Sequence, residues 1–362
     1  MKAREEIRAL TGLRGVAAAW VVLFHFGAVL YVLVPGVRRV AFVLDRGYLG
    51  VDVFFLLSGF VLAHAYGEAF GTWDARAYIG FLRARLARIY PIHLFALLLV
   101  ALAWLVTTRA GRPFDYAPVG ARDLALNLLL VQAWGFSDRS WNVVSWAISV
   151  QWLGYLVFPF LWRGIALTRT QFEAWGCFFL ALIAISLVYE HGGVRDATFH
   201  GGVPRLLLEL IAGAFLYRAH ALTPVVPRST GGLIALAGIA FFLAFRRADP
   251  LSIPLLAVLV FSLARGGIPA RVLSSAPAMF LGRISYSLYM THHLAIWALA
   301  RLVPPARYAA SPLPVRVGLA VAYLCVVGVV GWATYRVVES PLRTRLRGAS
   351  QGVSRTAPTR EN

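Results

Sequence analysis

Residues 15–34 read GVAAAWVVLFHFGAVLYVLV, a run in which His25 is the one basic side chain. At 1.5 Å of rise per residue such a run makes a helix about 30 Å long, the thickness of a bilayer's hydrocarbon core. Lys2, Arg4, Arg8 and Arg14 stand before it. A basic start followed by an apolar run also describes a secretory leader, but no small-residue cleavage pattern follows Val34, so the segment reads as a retained membrane helix.

The pattern recurs along the chain. Hydrophobic residues make up 59% of its 362 positions and charged residues 14%, and mean hydropathy is +0.70. That much apolar surface has no place in one water-soluble core. Apolar segments punctuated by Arg, Pro and Gly predict further spans near 48–66, 89–107, 144–161, 172–189, 206–220, 231–245, 252–264, 279–302 and 315–338. The expected fold is all-α, a polytopic membrane helical bundle of about ten transmembrane helices. Residues 124–134 are apolar but short, and they hold Asn127 and Gln132. They are expected to be interfacial or re-entrant; a crossing there would invert every later orientation.

A formal charge of +19 would suggest nucleic acid in a soluble protein. The basic residues are instead scattered between apolar runs, so the expected partner is membrane lipid, with no nucleic acid. A modest excess of Arg and Lys on one set of loops favours cytoplasmic N- and C-termini in a multi-pass protein of the cell membrane. Residues 1–341 read as one membrane domain and 342–362 as a basic, disordered cytoplasmic tail. Cys177 and Cys325 lie in apolar stretches far from any metal-ligand spacing, so they are read as packing residues, and no metal is expected.

Ionisable side chains inside spans cost roughly 2.5 to 3.5 kcal/mol each on the insertion scale, which makes them the best guide to chemistry. Arg14 and His25 are eleven residues apart. That spacing returns to nearly the same helix face and separates them by roughly 16 Å. An uncharged His25 near mid-membrane is suited to accept a proton from an attacking hydroxyl, although a packed core histidine has the same signature. Ser58, beside Gly59 on the next span, is either a nucleophile activated by His25 or a small residue at a helix contact. Asp52, near the end of that helix, either orients a polar partner or caps the helix. Arg85 and Arg88 share a face at the edge of the third span, where they suit phosphate groups or lipid headgroups equally.

Taken in order, several motifs resemble acyltransferase family 3: Arg14 with His25; the Gly50–Phe60 run GVDVFFLLSGF; Arg85-Leu-Ala-Arg88-Ile-Tyr-Pro91; the Ser145–Pro159 run SWAISVQWLGYLVFP; the Leu281–His292 run LGRISYSLYMTH; and Tyr335-Arg-Val-Val-Glu339-Ser-Pro341. The resemblance implies a bundle of about ten helices that transfers acetyl or longer acyl groups to a sugar, lipopolysaccharide, polysaccharide or macrolide. It implies that His25 is the catalytic histidine with Arg14 as its motif partner, and that Arg85 and Arg88 belong to an arginine pair associated with acyl-CoA. The donor would be acetyl-CoA or another acyl-CoA from the cytoplasm, and the acceptor a glycan or lipid-linked hydroxyl. His25 would act as a base or as an acyl relay.

One position departs from the family pattern: Gln151 stands where a Glu is usual. An amide hydrogen-bonds but takes no proton. Glu209 is the expected substitute acid, unless it simply pairs with Arg205 one turn earlier. His292 matches a family histidine and is expected to line the cavity in preference to His293. Arg283, Tyr286 and Glu339 follow the pattern near the inner boundary, where an ion pair between Arg283 and Glu339 is as good an explanation as catalysis. His64, His93, His191, His200 and His220 are read as hydrated residues of span ends and loops. Intramembrane His25, Asp52 and Glu209 would also suit a proton-coupled membrane transporter, although no internal repeat supports one; a macrolide or glycolipid acyltransferase is the closer alternative.

Overall fold

Thirteen α-helices form among the described residues, which are 5–117, 119–192, 198–223, 231–244 and 249–345 of the computed structural model. The first six are α1 (Arg8–Leu33), α2 (Ala41–Leu44), α3 (Leu49–Tyr66), α4 (Ala75–Arg109), α5 (Ala121–Leu128) and α6 (Trp146–Ile165). There follow α7 (Gln171–Gly192), α8 (Gly202–Leu222), α9 (Gly231–Ala244), α10 (Asp249–Arg265), α11 (Ile268–Leu273), α12 (Ala276–Leu302) and α13 (Leu313–Thr334). No strand occurs among the described residues. Ten of these helices, all but α2, α5 and α11, occupy the ten spans expected from the sequence, and five segments are long and apolar enough to cross a bilayer by length and composition alone. Residues 346–362, and with them nearly all of the expected tail, lie outside the described residues, as does the side chain of His191.

Local chemistry sets the helix ends. The Asp74 carboxylate accepts from the Arg76 backbone N–H and starts α4. Proline in the first turn opens α11, α12 and α13, where its missing N–H has no intrahelical partner to lose. The first span begins earlier than its apolar run: α1 starts at Arg8, so Arg14 lies within the helix.

Glycine decides which helices touch. Any Cβ on Gly59 would collide with the backbone of α8 at Leu210, and one on Gly213 with the α3 backbone at Leu56. The Gly59 end of α3 therefore meets α8, while Gly50 at its start meets the His25 helix at Ala17. Gly15 and Gly282 bring α1 and α12 together in the same way.

Residues 121–136 form no helix long enough to span. Helix α5 has 8 residues, about 12 Å at 1.5 Å each. The chain then turns back through Leu130 (φ 60°) and Gly135 (φ 91°). Several of its polar groups are met inside the protein: Ser149 Oγ donates to the Leu130 carbonyl (2.9 Å) and accepts from the Ala133 N–H (3.1 Å). Gln132 donates to Ser145, and Ser140 donates to Asn127. Irregular backbone at such depth is tolerated where protein surrounds it. His93 is part of this seal. It is fully buried within α4, and its Nε2 donates to the Asn127 carbonyl at 2.8 Å. The expectation of a hydrated span-end histidine is thus corrected.

Candidate active site

Helices α1, α3, α4, α6 and α12 enclose a cavity of about 330 Å³ on the face of the bundle that carries the N-terminus. Apolar side chains such as Phe54, Phe55 and Ile148 make most of its wall, with Arg14, Arg85, Arg88, Ser58, Gln151 and Tyr286 supplying polar atoms. The arginines differ in how they are held. Arg14 donates to Ser285 Oγ (3.2 Å) and the Gly282 carbonyl (3.0 Å), which fastens it to α12. Arg85 donates through one terminal nitrogen to the Tyr66 hydroxyl and stands over that ring at 4.9 Å, while its Nε is buried without an acceptor. Arg88 makes no hydrogen bond or ion pair among the described residues. Three guanidiniums around one opening suit a polyanion.

His25 is not in the wall of that cavity, although it shares helix α1 with Arg14. The cavity reaches Phe54 and Tyr289, whose rings lie 5.9 Å apart, and Tyr289 in turn touches the His292 ring at 5.8 Å. Behind this aromatic pair three histidines meet. His25 lies 5.0 Å from His292 and 5.1 Å from His293 between ring centroids. Both members of the His292–His293 pair face His25, so the choice of His292 alone as a cavity residue is corrected: neither lines the cavity and both pack on His25.

The hydrogen bonds assign the tautomers. His292 Nδ1 lies 2.6 Å from the Tyr289 carbonyl, which can only accept, so that nitrogen carries the hydrogen. In the neutral ring Nε2 is then an acceptor, 3.2 Å from His25 Nδ1. His25 Nδ1 also lies 3.0 Å from the Val21 carbonyl and therefore donates. The remaining nitrogen, His25 Nε2, keeps its lone pair and makes no hydrogen bond among the described residues. A fixed tautomer with a free basic nitrogen is what general-base catalysis needs.

Other expected residues divide into those brought together and those kept apart. Ser58 Oγ donates to Gln151 Oε1 at 2.9 Å, not to His25, so the Ser58–His25 pair does not form. Asp52 orients a polar partner and caps nothing: its carboxylate takes a two-pronged contact from Arg205, at 3.0 Å from Nε and 2.7 Å from Nη2. Glu209 sits 3.7 Å from the same guanidinium. All three are buried, with Arg205 over the Trp146 ring at 5.7 Å. Arg283 is exposed and does not pair with Glu339, which accepts from Ser287 at 2.6 Å. Tyr286 donates to the Ile89 carbonyl at 2.5 Å, tying α12 to the arginine helix.

Arg205, Tyr289 and His293 were missed as site residues by sequence reasoning. Its place one turn before Glu209, at the edge of the span expected at 206–220, was the signal for Arg205; nothing in the spacing marked the other two. No group of three His, Cys, Asp or Glu side chains placed to hold a metal occurs among the described residues. On the opposite face of the bundle, His293 packs against Tyr116 at 5.3 Å. Beside Tyr116, Asp115 accepts from Trp297 (2.8 Å) and pairs with Arg301 (2.5 Å). The Arg301 and Trp297 donors hold the Asp115 carboxyl below its ordinary pKa.

The family model described as an acyltransferase domain, Acyl_transf_3, matches residues 7–335. The chain belongs to acyltransferase family 3. Among curated proteins it is similar to acyltransferase MdmB of Streptomyces mycarofaciens, with 29% identity over 96% of this chain and 94% of that protein. It is also similar to O-acetyltransferase OatA of Staphylococcus aureus, at 22% identity over 93% of this chain and 57% of OatA. A shorter match, 41% identical over 29% of the chain, is to a Rhizobium radiobacter protein named protein 2 in picA locus, of which it covers 49%. No solved structure matches. Family membership makes the chain an acyltransferase, and its long apolar helices make it a multi-pass membrane protein.

Proposed function

We propose that this family 3 acyltransferase takes an acyl group, most simply acetyl, from cytoplasmic acyl-CoA and passes it to a hydroxyl of a surface polysaccharide, lipopolysaccharide or other glycan. The observation that carries the reading is the free Nε2 of His25, its tautomer held through His292. In this reading Nε2 accepts the acceptor's hydroxyl proton as the oxygen attacks the thioester carbonyl. The carbon–sulfur bond breaks, and the proton leaves with the thiolate as free coenzyme A. Arg14, Arg85 and Arg88 receive the donor's phosphates, which supports a cytoplasmic N-terminal face.

The opposite face supports acceptor approach, because His293 links His25 to a cluster that presents Tyr116, Trp297, Asp115 and Arg301. Since Phe54 and Tyr289 stand between cavity and histidine, the thioester reaches His25 only after these rings move aside. Asp52, Arg205 and Glu209 form a structural ion cluster in this scheme, and Glu209 has no role as the replacement acid.

The test is glycan O-acetyl content, read by NMR, in cells expressing wild type or His25→Ala. Loss in the variant is expected. Unchanged acylation with the variant present at normal levels would remove His25 from the chemistry.

A further inference from the structure

A second cavity, of about 470 Å³, opens on the face opposite the arginines, within the size range of small-molecule sites. Its walls are the first turn of α5, the turn through Gly135 that follows, and His200 just before α8. Arg122, Arg139 and His200 line it together with Asp123 and Asp138, and Phe136 stands among them. Hydrogen bonds within the loop hold this wall. Arg122 donates to the Phe136 carbonyl (2.9 Å), and Asp123 accepts from the Ser137 hydroxyl (3.0 Å), which accepts in turn from the Arg139 N–H (3.1 Å). The Asp138–Arg139 pair, at 3.5 Å, is largely exposed and keeps polar atoms for a ligand. The Phe136 ring is 55% exposed, an uncovered aromatic surface in a polar surround.

This mixture is selective. A phosphate's oxygens mainly accept, and the two aspartates oppose its charge. A simple cation meets the same objection from the arginines. A sugar hydroxyl both donates and accepts through one oxygen, so guanidiniums and carboxylates side by side satisfy neighbouring hydroxyls. The C–H face of a sugar ring, in turn, suits the electron-rich face of an aromatic side chain. The cavity also adjoins the seam that leads to the histidines. Just beyond Arg139, Trp141 donates to the Gly120 carbonyl (3.1 Å), while Asn142 accepts from Tyr116 (2.9 Å) and donates to the Met290 carbonyl of α12 (2.9 Å). Tyr116 is the ring that packs on His293.

Resting on the glycan acceptor proposed above, we propose that this cavity is an outer subsite that holds a neutral sugar unit of the acceptor. Phe136 is the ring the sugar covers, and Asp123, Asp138, Arg122 and Arg139 meet its hydroxyls.

The experiment presents methyl glycosides of glucose, galactose and rhamnose to the full chain in lipid nanodiscs and reads saturation-transfer NMR against empty nanodiscs. Inorganic phosphate, read by broadening of its phosphorus line, is the anionic probe. Saturation of at least one glycoside and an unbroadened phosphate line are expected for wild type. Phe136→Ala should weaken the glycoside about fivefold, the scale of one aromatic contact, and Phe136→Trp should retain it. The double variant Asp123→Asn, Asp138→Asn is expected to lose glycoside and gain phosphate. Acetyl-CoA affinity on the same preparations reports that each variant is folded. No saturation of any glycoside by wild type, or saturation unchanged in Phe136→Ala, would overturn the proposal, and phosphate binding in place of glycoside would make this an anion site. Because no turnover is needed, these results stand apart from the His25→Ala test: unchanged acylation there removes the mechanism and leaves this subsite, and absent glycoside binding does the reverse.

Discussion

At the scale of single residues, the geometry turns on which nitrogen of His25 is free. His292→Gln removes a ring that accepts at Nε2 and donates at Nδ1, and an amide can reproduce at most part of that bridge. The expected outcome is a fall of about 10- to 100-fold in turnover with little change in acyl-CoA affinity, read by acetyl-transfer kinetics and calorimetry on the same preparation. An equal fall in binding would place His292 in the donor site. Asp52 makes a different prediction. Asp52→Asn removes the carboxylate charge that Arg205 grips with two nitrogens, and breaking such a buried pair costs about 3–5 kcal/mol. A lowered melting temperature is expected, with partial recovery in Asp52→Asn, Arg205→Gln. The alternative, full stability with altered transfer, would make the cluster functional. The Arg14–His25 relation was legible because both residues sit on one helix, where eleven residues fix their relative direction. Asp52 and Arg205 lie 153 positions apart, and no local period connects them. The Ser58–Gln151 contact, across 93 positions, was hidden for the same reason.

Among the elements, contacts follow backbone proximity more than sequence neighbourhood. Hydropathy located ten helices because an apolar run reports its own solvent; it did not report that α3 leans on α8, since Gly59 and Gly213 become partners only when the helices cross. Replacing Gly213 with Leu drives a side chain into the α3 backbone at Leu56. Overpacking of this kind costs about 1–3 kcal/mol or more, so reduced thermal stability is expected by fluorescence-detected unfolding. Stability matching wild type would mean that the two helices separate readily. The re-entrant turn after α5 was legible as a type, from its short length and its amides. His93 was not: its role as a plug depends on a carbonyl 34 positions away. Asp115 illustrates a linkage between two outer elements, α12 and the loop before α5. Its pKa lies below the ordinary carboxylate value because Arg301 and Trp297 favour the charged form. Its contribution is therefore present above the unfolded-state pKa and lost only as pH falls through the lower folded value.

For the whole molecule, the fold sorts chemistry by face: guanidiniums around an opening at one end, an aromatic and ionic cluster at the other, histidines between. Purified Arg85→Ala, Arg88→Ala protein is expected to lose at least tenfold in acetyl-CoA affinity, and wild-type affinity should fall with ionic strength as the opening is screened. Retained, salt-insensitive binding would return both arginines to headgroup anchoring. Sidedness has its own check: a single cysteine introduced at Asp115, in a background free of Cys177 and Cys325, should react with an impermeant maleimide from outside intact cells. Labelling only after lysis would invert the proposed orientation.

The edge-to-face Phe54 and Tyr289 rings bear on more than the reaction. A water-filled path from the arginine opening through His25 to the far side would let protons run down the membrane voltage, at about 2.3 kcal/mol per charge for each 100 mV. In the proposed function these two rings interrupt that path between the cavity and His25. Replacing Tyr289 by Ala is expected to raise the proton conductance of vesicles carrying this protein.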